Sequence, residues 1–213
     1  LGVQYEHRDY AWYRVSGREV WPGFDYTVPG DWSSAAFPLA AALVTNSEIT
    51  LRNMDINDPQ GDKAVLEMFR RMGANIQVDE TAKTVTVGRC SGLQGIEVDV
   101  NKAIDAVPIL ATVACFASSP TRISGAAIAR QKESDRISAI SAELGKMGAK
   151  TEEFEDGLTV YPAKLHGAET ESRHDHRIAM SLAVAGLACG GTSINDTACV
   201  AKSFPGFARA MQG

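Results

Sequence analysis

The sequence has no C-x-x-C pair, no apolar run of membrane-spanning length and no surplus of basic residues. Each absence removes a class of function. The four cysteines, Cys90, Cys115, Cys189 and Cys199, are scattered through 213 residues. That scatter offers no metal-binding or thiol-redox spacing. Cys115 and Cys189 sit in apolar helical stretches, so reduced core thiols in a cytoplasmic protein are expected, not disulfides or metal ligands. The longest apolar candidate, Ile178 to Cys189, falls short of the roughly 20 residues that a spanning helix needs. No signal peptide is visible, and no membrane role is expected. Twenty-one Lys and Arg against 26 Asp and Glu give a net charge of −5, with a pI near 5.4. That is the wrong balance for binding nucleic acid. Any anion site must be a local gathering of cations.

What is present is an ordinary globular composition, 45% hydrophobic and 22% charged, long enough for one large domain or two small ones. The chain begins at Leu1 and enters mid-pattern, as a fragment of a longer protein would. Val3, Tyr5, Tyr10, Trp12, Tyr13 and Val15 read as a hairpin within Gly2 to Glu19, with Ser16-Gly17-Arg18 as a turn signal. Trp21-Pro22-Gly23 breaks it. Phe24 to Val28 reads as a further extended run, ended by Pro29-Gly30-Asp31.

The chain then repeats itself. Apolar, alanine-rich helices are expected after Asp31, Asp105 and Asp175, each followed by a turn and a short strand, near Ser47, Ser119 and Gly191. Second amphipathic helices, with Val65, Met68, Phe69 and Met72 on one face and Ile137, Ile140, Leu144 and Met147 on the other, both end in Met-Gly-Ala. Glycine there suits a helix C-cap. Hairpins follow, turning at Asp79-Glu80-Thr81 and at Glu155-Asp156-Gly157. The third copy stops after its first helix, its strand and a short helical tail, Pro205 to Met211. A helix as apolar as Ile178 to Leu187 must be buried on every side. Three units packing such helices around one axis would achieve that.

Charge is concentrated in three knots. Arg130-Gln131-Lys132-Glu133-Ser134-Asp135-Arg136 leads into the second amphipathic helix. If that helix includes Lys132 and Arg136, the two share a face. Cations at a helix N-terminus oppose its dipole but suit an anion held by backbone N–H groups. A solvated, salt-bridged helix start is the plainer alternative. His174-Asp175-His176-Arg177 precedes the third apolar helix, and Lys202 lies in Ala201-Lys202-Ser203-Phe204-Pro205. Lys132, Arg136, Arg177 and Lys202 are therefore expected to converge on phosphate and carboxylate groups at the end of the domain where three helix N-termini meet. Asp105 has a structural alternative as an N-cap, with Pro108 tolerated in the first turn. His174 and Asp175 read as capping and supporting residues. The run offers no i, i+4 pair and no Cys partner for a metal.

Lys132-Glu133-Ser134-Asp135-Arg136, Asp175-His176-Arg177-Ile178-Ala179-Met180 and Ala201-Lys202-Ser203-Phe204-Pro205, in that order, resemble the enolpyruvyl transferases, and within them the branch that acts on shikimate 3-phosphate. The resemblance covers essentially the whole chain but only the C-terminal half of a family member. It implies an α+β fold, an inside-out α/β barrel of βαβαββ units around buried parallel helices. Residues 1–27 would be terminal strands of the family's other domain. Residues 28–213 would form one domain of about three repeats, 28–100, 101–165 and 166–213.

The resemblance also implies the activity: transfer of the enolpyruvyl group from phosphoenolpyruvate to the 5-hydroxyl of shikimate 3-phosphate, in aromatic amino acid biosynthesis. No cofactor and no metal are implied, and the full-length protein would be a monomer. Asp105 would act on the attacking hydroxyl, and Glu133 or Lys202 on proton transfer. Lys132 would touch both substrate and reacting centre, and Arg136, Arg177 and Lys202 would clamp phosphoenolpyruvate. His176 matches a motif position but also suits a structural hydrogen-bonding role. Ile128 departs from the family, which often has a polar, substrate-touching residue there. Without the missing N-terminal domain the chain is expected to fold but not to turn over. A UDP-N-acetylglucosamine enolpyruvyl transferase, or a non-catalytic repeat domain, would be the alternatives.

Overall fold

The computed structural model describes residues 3–17, 20 and 23–212. The expected break at Trp21-Pro22 lies outside them, as do Gly2, Arg18 and Glu19 at the edges of the expected hairpin. Strands β1 (Tyr5–Arg8) and β2 (Trp12–Val15) pair antiparallel. The connection runs through Asp9, which adopts a left-handed φ of 47°. Asp is among the few non-glycine types that tolerate this. The reversal is therefore at Asp9 to Ala11, and Ser16-Gly17 follows the second strand. Among the described residues Phe24 to Val28 joins no sheet. Phe24, Tyr26 and Val28 are each more than half exposed.

Helix α1 (Trp32–Val44) starts where Asp31 accepts hydrogen bonds from the Ser33 and Ser34 amides. This satisfies two of the donors that a helix N-terminus leaves open. Strand β3 (Ile49–Arg52), helix α2 (Ala64–Arg71) and the hairpin of β4 (Asn75–Asp79) and β5 (Thr84–Gly88) complete the first copy. Their sheet has the order β3-β5-β4. Strand β6 (Glu97–Asp99) leads into the second copy, which contains α3 (Val107–Ala114), β7 (Thr121–Ser124), α4 (Arg136–Lys146), β8 (Lys150–Phe154) and β9 (Gly157–Tyr161). The four strands run β6-β7-β9-β8. The third contains β10 (Glu169–Glu171), α5 (His176–Cys189), β11 (Ser193–Asn195) and α6 (Phe207–Met211). β10 and β11 pair parallel, as β6 and β7 do.

The starts of β3, β7 and β11 are 72 residues apart in each step, and so are those of β6 and β10. The Met-Gly-Ala glycines, Gly73 and Gly148, have φ of +99° and +95°. A side chain is strained in that region, which is why glycine ends both amphipathic helices. The helices α1, α3 and α5 pack on one another. They bury Leu39, Leu110, Ile109, Leu182 and Val184 completely. Each such side chain contributes roughly 1.5–3 kcal/mol through burial. β6 and β10, three residues each, are too short to show a pattern in sequence.

The copies are not equally complete. β7 is flanked by β6 and β9, whereas among the described residues β3 pairs only with β5 and β11 only with β10. Ile123 of β7 is wholly buried, while Leu51 of β3 and Ile194 of β11 are half-buried. No helix is long and apolar enough to cross a membrane among the described residues. The four cysteines are free, and burial pushes the Cys115 thiol up to about 12.

Candidate active site

The side chains of Asp105, Lys132, Glu133, Arg136, Asp175, Arg177 and Lys202 meet in one ion-pair network. Arg136 is its centre. It stands at the first position of α4, whose cap is Asp135, accepting from the Ser138 amide. Its side chain is 1% exposed. Nε donates to Asp175 at 2.8 Å, Nη1 to Asp105 at 2.7 Å and Nη2 to Glu133 at 2.6 Å. A guanidinium directs donors from three separate nitrogens in one plane to three carboxylates, whereas an ammonium offers its donors from a single point. Asp175 is wholly buried, whereas Asp105 and Glu133 are partly exposed. One edge of the guanidinium is therefore anchored in the protein, and the other faces groups that water reaches.

Asp105 does not cap a helix. It lies in a 3-10 turn, Ile104–Ala106, ahead of α3, where Ala106 occupies the cap position, and it makes no capping hydrogen bond. Its carboxylate instead receives Arg136 and Lys132, the latter at 3.3 Å, on one oxygen and Arg177, at 3.1 Å, on the other. Burial pushes this carboxyl up, but Arg177, Arg136 and Lys132 outweigh burial and hold it below its ordinary 3.8. The turn explains the difference from the capping alternative, because it carries the side chain away from the open α3 amides.

Lys132 is also placed differently from a helical expectation. It ends the 3-10 segment Ala127–Gln131 in extended conformation, outside α4. Lys132 and Arg136 meet through Asp105, not by sharing a helix face. Glu133 bridges Arg136 and Lys202, the second at 3.1 Å. Burial pushes its carboxyl up, but its own backbone N–H, Lys202 and Arg136 bring it down to about 2. Lys202, at the end of a 3-10 segment, is 65% exposed.

Asp175 is the N-cap of α5. It accepts from the Arg177 amide at 2.9 Å as well as from Arg136 and from the Ser134 hydroxyl at 3.0 Å. One carboxylate thus links the two charged knots. His176 is buried, 4.0 Å from Asp175. Burial, then the Arg177 charge, pushes its imidazole below the ordinary 6.5, so it is neutral at pH 7. Its Nδ1 and the Nε of Arg177 are buried and have no hydrogen-bond partner among the described residues. His174 is turned away, to Asp196. Ile128, four residues before Lys132, is 52% exposed and takes no part in the network. At the start of α1 the polar groups satisfy one another, with the Ser33 hydroxyl on Asp62 at 2.6 Å. Among the described residues no three His, Cys, Asp or Glu gather as a metal site.

Four cations against three carboxylates leave a net positive charge, in a chain whose total is −5. Such a network is sensitive to acid. The carboxyls of Glu133 and Asp105 are depressed in the folded state, so they stabilise it above their ordinary values of 4.5 and 3.8. That stabilisation is lost as pH falls through the folded values, for Glu133 down to about 2. A Tm series should fall steeply between pH 5 and pH 2. Glu133→Gln should flatten it, and an unchanged slope would show that the pairing is not maintained in solution.

A model of the family EPSP synthase (3-phosphoshikimate 1-carboxyvinyltransferase) matches residues 1–211. The chain is 42% identical over 213 residues to the 3-phosphoshikimate 1-carboxyvinyltransferase of Ruminiclostridium cellulolyticum, covering 100% of this chain and 50% of that protein. It is 46% identical over 202 residues to that of Chlamydia pneumoniae, covering 93% and 45%. It superposes on EPSP synthase of Acinetobacter baumannii with a TM-score of 0.87 and 32% identity, over 99% of this chain and 51% of the other. The enolpyruvyl transferase NikO of Streptomyces tendae, at 22% identity and a TM-score of 0.67, shares the fold. The chain spans about half the length of the curated relatives it matches. It belongs to the EPSP synthase family, with the α+β fold of the enolpyruvyl transferases.

Proposed function

We propose that the chain is the C-terminal half of an enzyme that moves the enolpyruvyl group of phosphoenolpyruvate to the 5-hydroxyl of shikimate 3-phosphate. The observation that carries this is the gathering of Lys132, Arg136, Arg177 and Lys202 around Asp105 and Glu133. Residues 28–213 would form the domain, in the repeats 28–100, 101–165 and 166–213. The exposed aromatic and aliphatic side chains between Tyr5 and Val28 would pack on the other half. Free thiols and the absence of a membrane-spanning helix among the described residues suit a cytoplasmic enzyme.

In this reading the substrate hydroxyl adds to the double bond of phosphoenolpyruvate as its methylene carbon takes a proton; the bond to phosphate then breaks in the tetrahedral adduct while the new methyl group gives a proton back, which re-forms the double bond. Asp105 takes the hydroxyl proton. Arg177, Arg136 and Lys132 suppress its basicity while they are paired to it. A phosphate or carboxylate that draws off Lys132 and Arg177 removes that suppression, so ligand binding itself prepares the base. Glu133, at about 2, is ionised at neutral pH. The Lys202 ammonium is therefore the better proton source for the methylene carbon, with Glu133 holding it in place. Arg177, whose buried Nε–H has no hydrogen-bond partner among the described residues, would turn its guanidinium to the anion, and Arg136 would keep its Asp175 edge while exchanging its other carboxylates for ligand. Such charge-assisted, bidentate contacts suit developing charge. Lys132 would contact both substrates. Ile128 would leave only backbone for a contact at its position.

Calorimetric titration of the chain with phosphoenolpyruvate tests this. Arg177→Ala should weaken binding about 10- to 100-fold, as expected for losing charged hydrogen bonds of ~1.5–3 kcal/mol. Equal affinity in both proteins would contradict the site. Competition between shikimate 3-phosphate and UDP-N-acetylglucosamine distinguishes this acceptor from that of the sister enzymes.

A further inference from the structure

The segment that delivers Asp175 and Arg177 is held in an unfavourable backbone conformation. Arg173 and His174 both adopt left-handed φ, 55° and 57°, and neither is glycine. Consecutive residues in that region persist only where the surroundings over-determine them. Part of the restraint comes from β11 and the residue after it. The Ser172 amide donates to the Asn195 carbonyl, and its hydroxyl donates to the Asp196 carbonyl at 2.8 Å. The His174 amide donates to the Ser172 hydroxyl oxygen at 3.1 Å. The rest comes from Glu143 on α4. This carboxylate is wholly buried. One oxygen receives Nε and Nη2 of Arg173 at 2.8 and 2.6 Å. The other receives the Glu171 amide at 2.9 Å and Lys146 at 2.7 Å.

Glu143 follows Arg136 by seven residues, two helical turns, so the two share a face of α4, about 10 Å apart along its axis. Arg136 grips Asp175, and Glu143 grips Glu171 and Arg173. One rigid helix thus pins the strained segment on both sides of its left-handed pair. We infer that Glu143 is a positioning residue for the anion site: it fixes the Arg173-His174 turn, and through it the places of Asp175 and Arg177. Among the described residues it makes no ion pair with Lys132, Arg136, Arg177 or Lys202, and it deepens the function proposed above, on which it rests. A buried carboxylate on the apolar face of α4 has no other evident task, since a leucine would pack there without needing three partners.

The test uses Glu143→Gln in the whole chain, with Leu144→Ala, a core truncation on the same helix, as the control for general destabilisation. Two readouts are taken below the melting temperature of both variants. The first needs no ligand. Amide hydrogen exchange at Asp175 and Arg177 should accelerate at least tenfold in Glu143→Gln and stay within twofold of the parent in Leu144→Ala. The second is phosphoenolpyruvate affinity by calorimetry, expected to fall at least tenfold in Glu143→Gln only. Lys146→Ala, which removes an exposed member of the clamp, should leave both readouts within twofold. Unchanged exchange in Glu143→Gln, or equal acceleration in Leu144→Ala, would overturn the inference. A parent chain that binds no phosphoenolpyruvate, yet shows the exchange difference, would reject the proposed site and leave the positioning by Glu143 standing.

Discussion

Arg136→Ala should lower the stability of the chain by about 3–5 kcal/mol, the loss typical of breaking a buried ion pair from one side. For a chain of this length that corresponds to a fall in Tm of about 10 °C. The reason is local. Asp175 is wholly buried and receives Arg136 on both carboxylate oxygens, at 2.8 and 3.4 Å. Without the guanidinium its remaining hydrogen-bond donors among the described residues are the Ser134 hydroxyl and the Arg177 amide. Arg136→Lys should recover little, because an ammonium cannot reach Asp175, Asp105 and Glu133 together. Lys202→Ala should change stability by less than about 1 kcal/mol, since that side chain is largely in solvent. Thermal melts of the three variants decide it. Equal stability of Arg136→Ala and the parent would mean that the network does not hold the two charged knots together.

The second large effect concerns turnover. The chain alone should release phosphate from phosphoenolpyruvate and shikimate 3-phosphate at least about a thousandfold more slowly than when completed by a partner half. The cations and Asp105 are present, but the chain spans about half of its relatives' length. In the proposed reaction, positioning of the second substrate and exclusion of water would both need walls from the other half. Phosphate release should appear when the chain is mixed with the complementary half of the Ruminiclostridium cellulolyticum relative. Full-rate release by the unaided chain would defeat this expectation.

The parts of the fold that were legible in sequence are those set by local chemistry. Asp31 and Asp175 announce helix starts because a carboxylate satisfies open amides, and both do so. Gly73 and Gly148 announce helix ends because only glycine is at ease at their φ. The sheet order, and the strands β6 and β10, were not legible, because three-residue strands are fixed by parallel pairing with residues about 25 positions away. Within the candidate site, the three charged knots were visible as composition, but the direction of each side chain was not. Asp105 looks like a cap in sequence and serves instead as a shared counter-ion, since the 3-10 turn before α3 redirects it. The linking role of Asp175 was hidden behind its capping role. Glu143 had a faint signal: it falls between Ile140 and Met147 at spacings of three and four, on the buried face of α4, where a charge needs partners.

The most direct measurement is a crystal structure of the chain soaked with phosphoenolpyruvate. The account predicts the phosphate and carboxylate at the rim formed by Lys132, Arg136, Arg177 and Lys202, with Arg177 and Lys132 turned from Asp105 toward the ligand. Phosphoenolpyruvate bound on another face, with those four side chains still paired to Asp105 and Glu133, would contradict it.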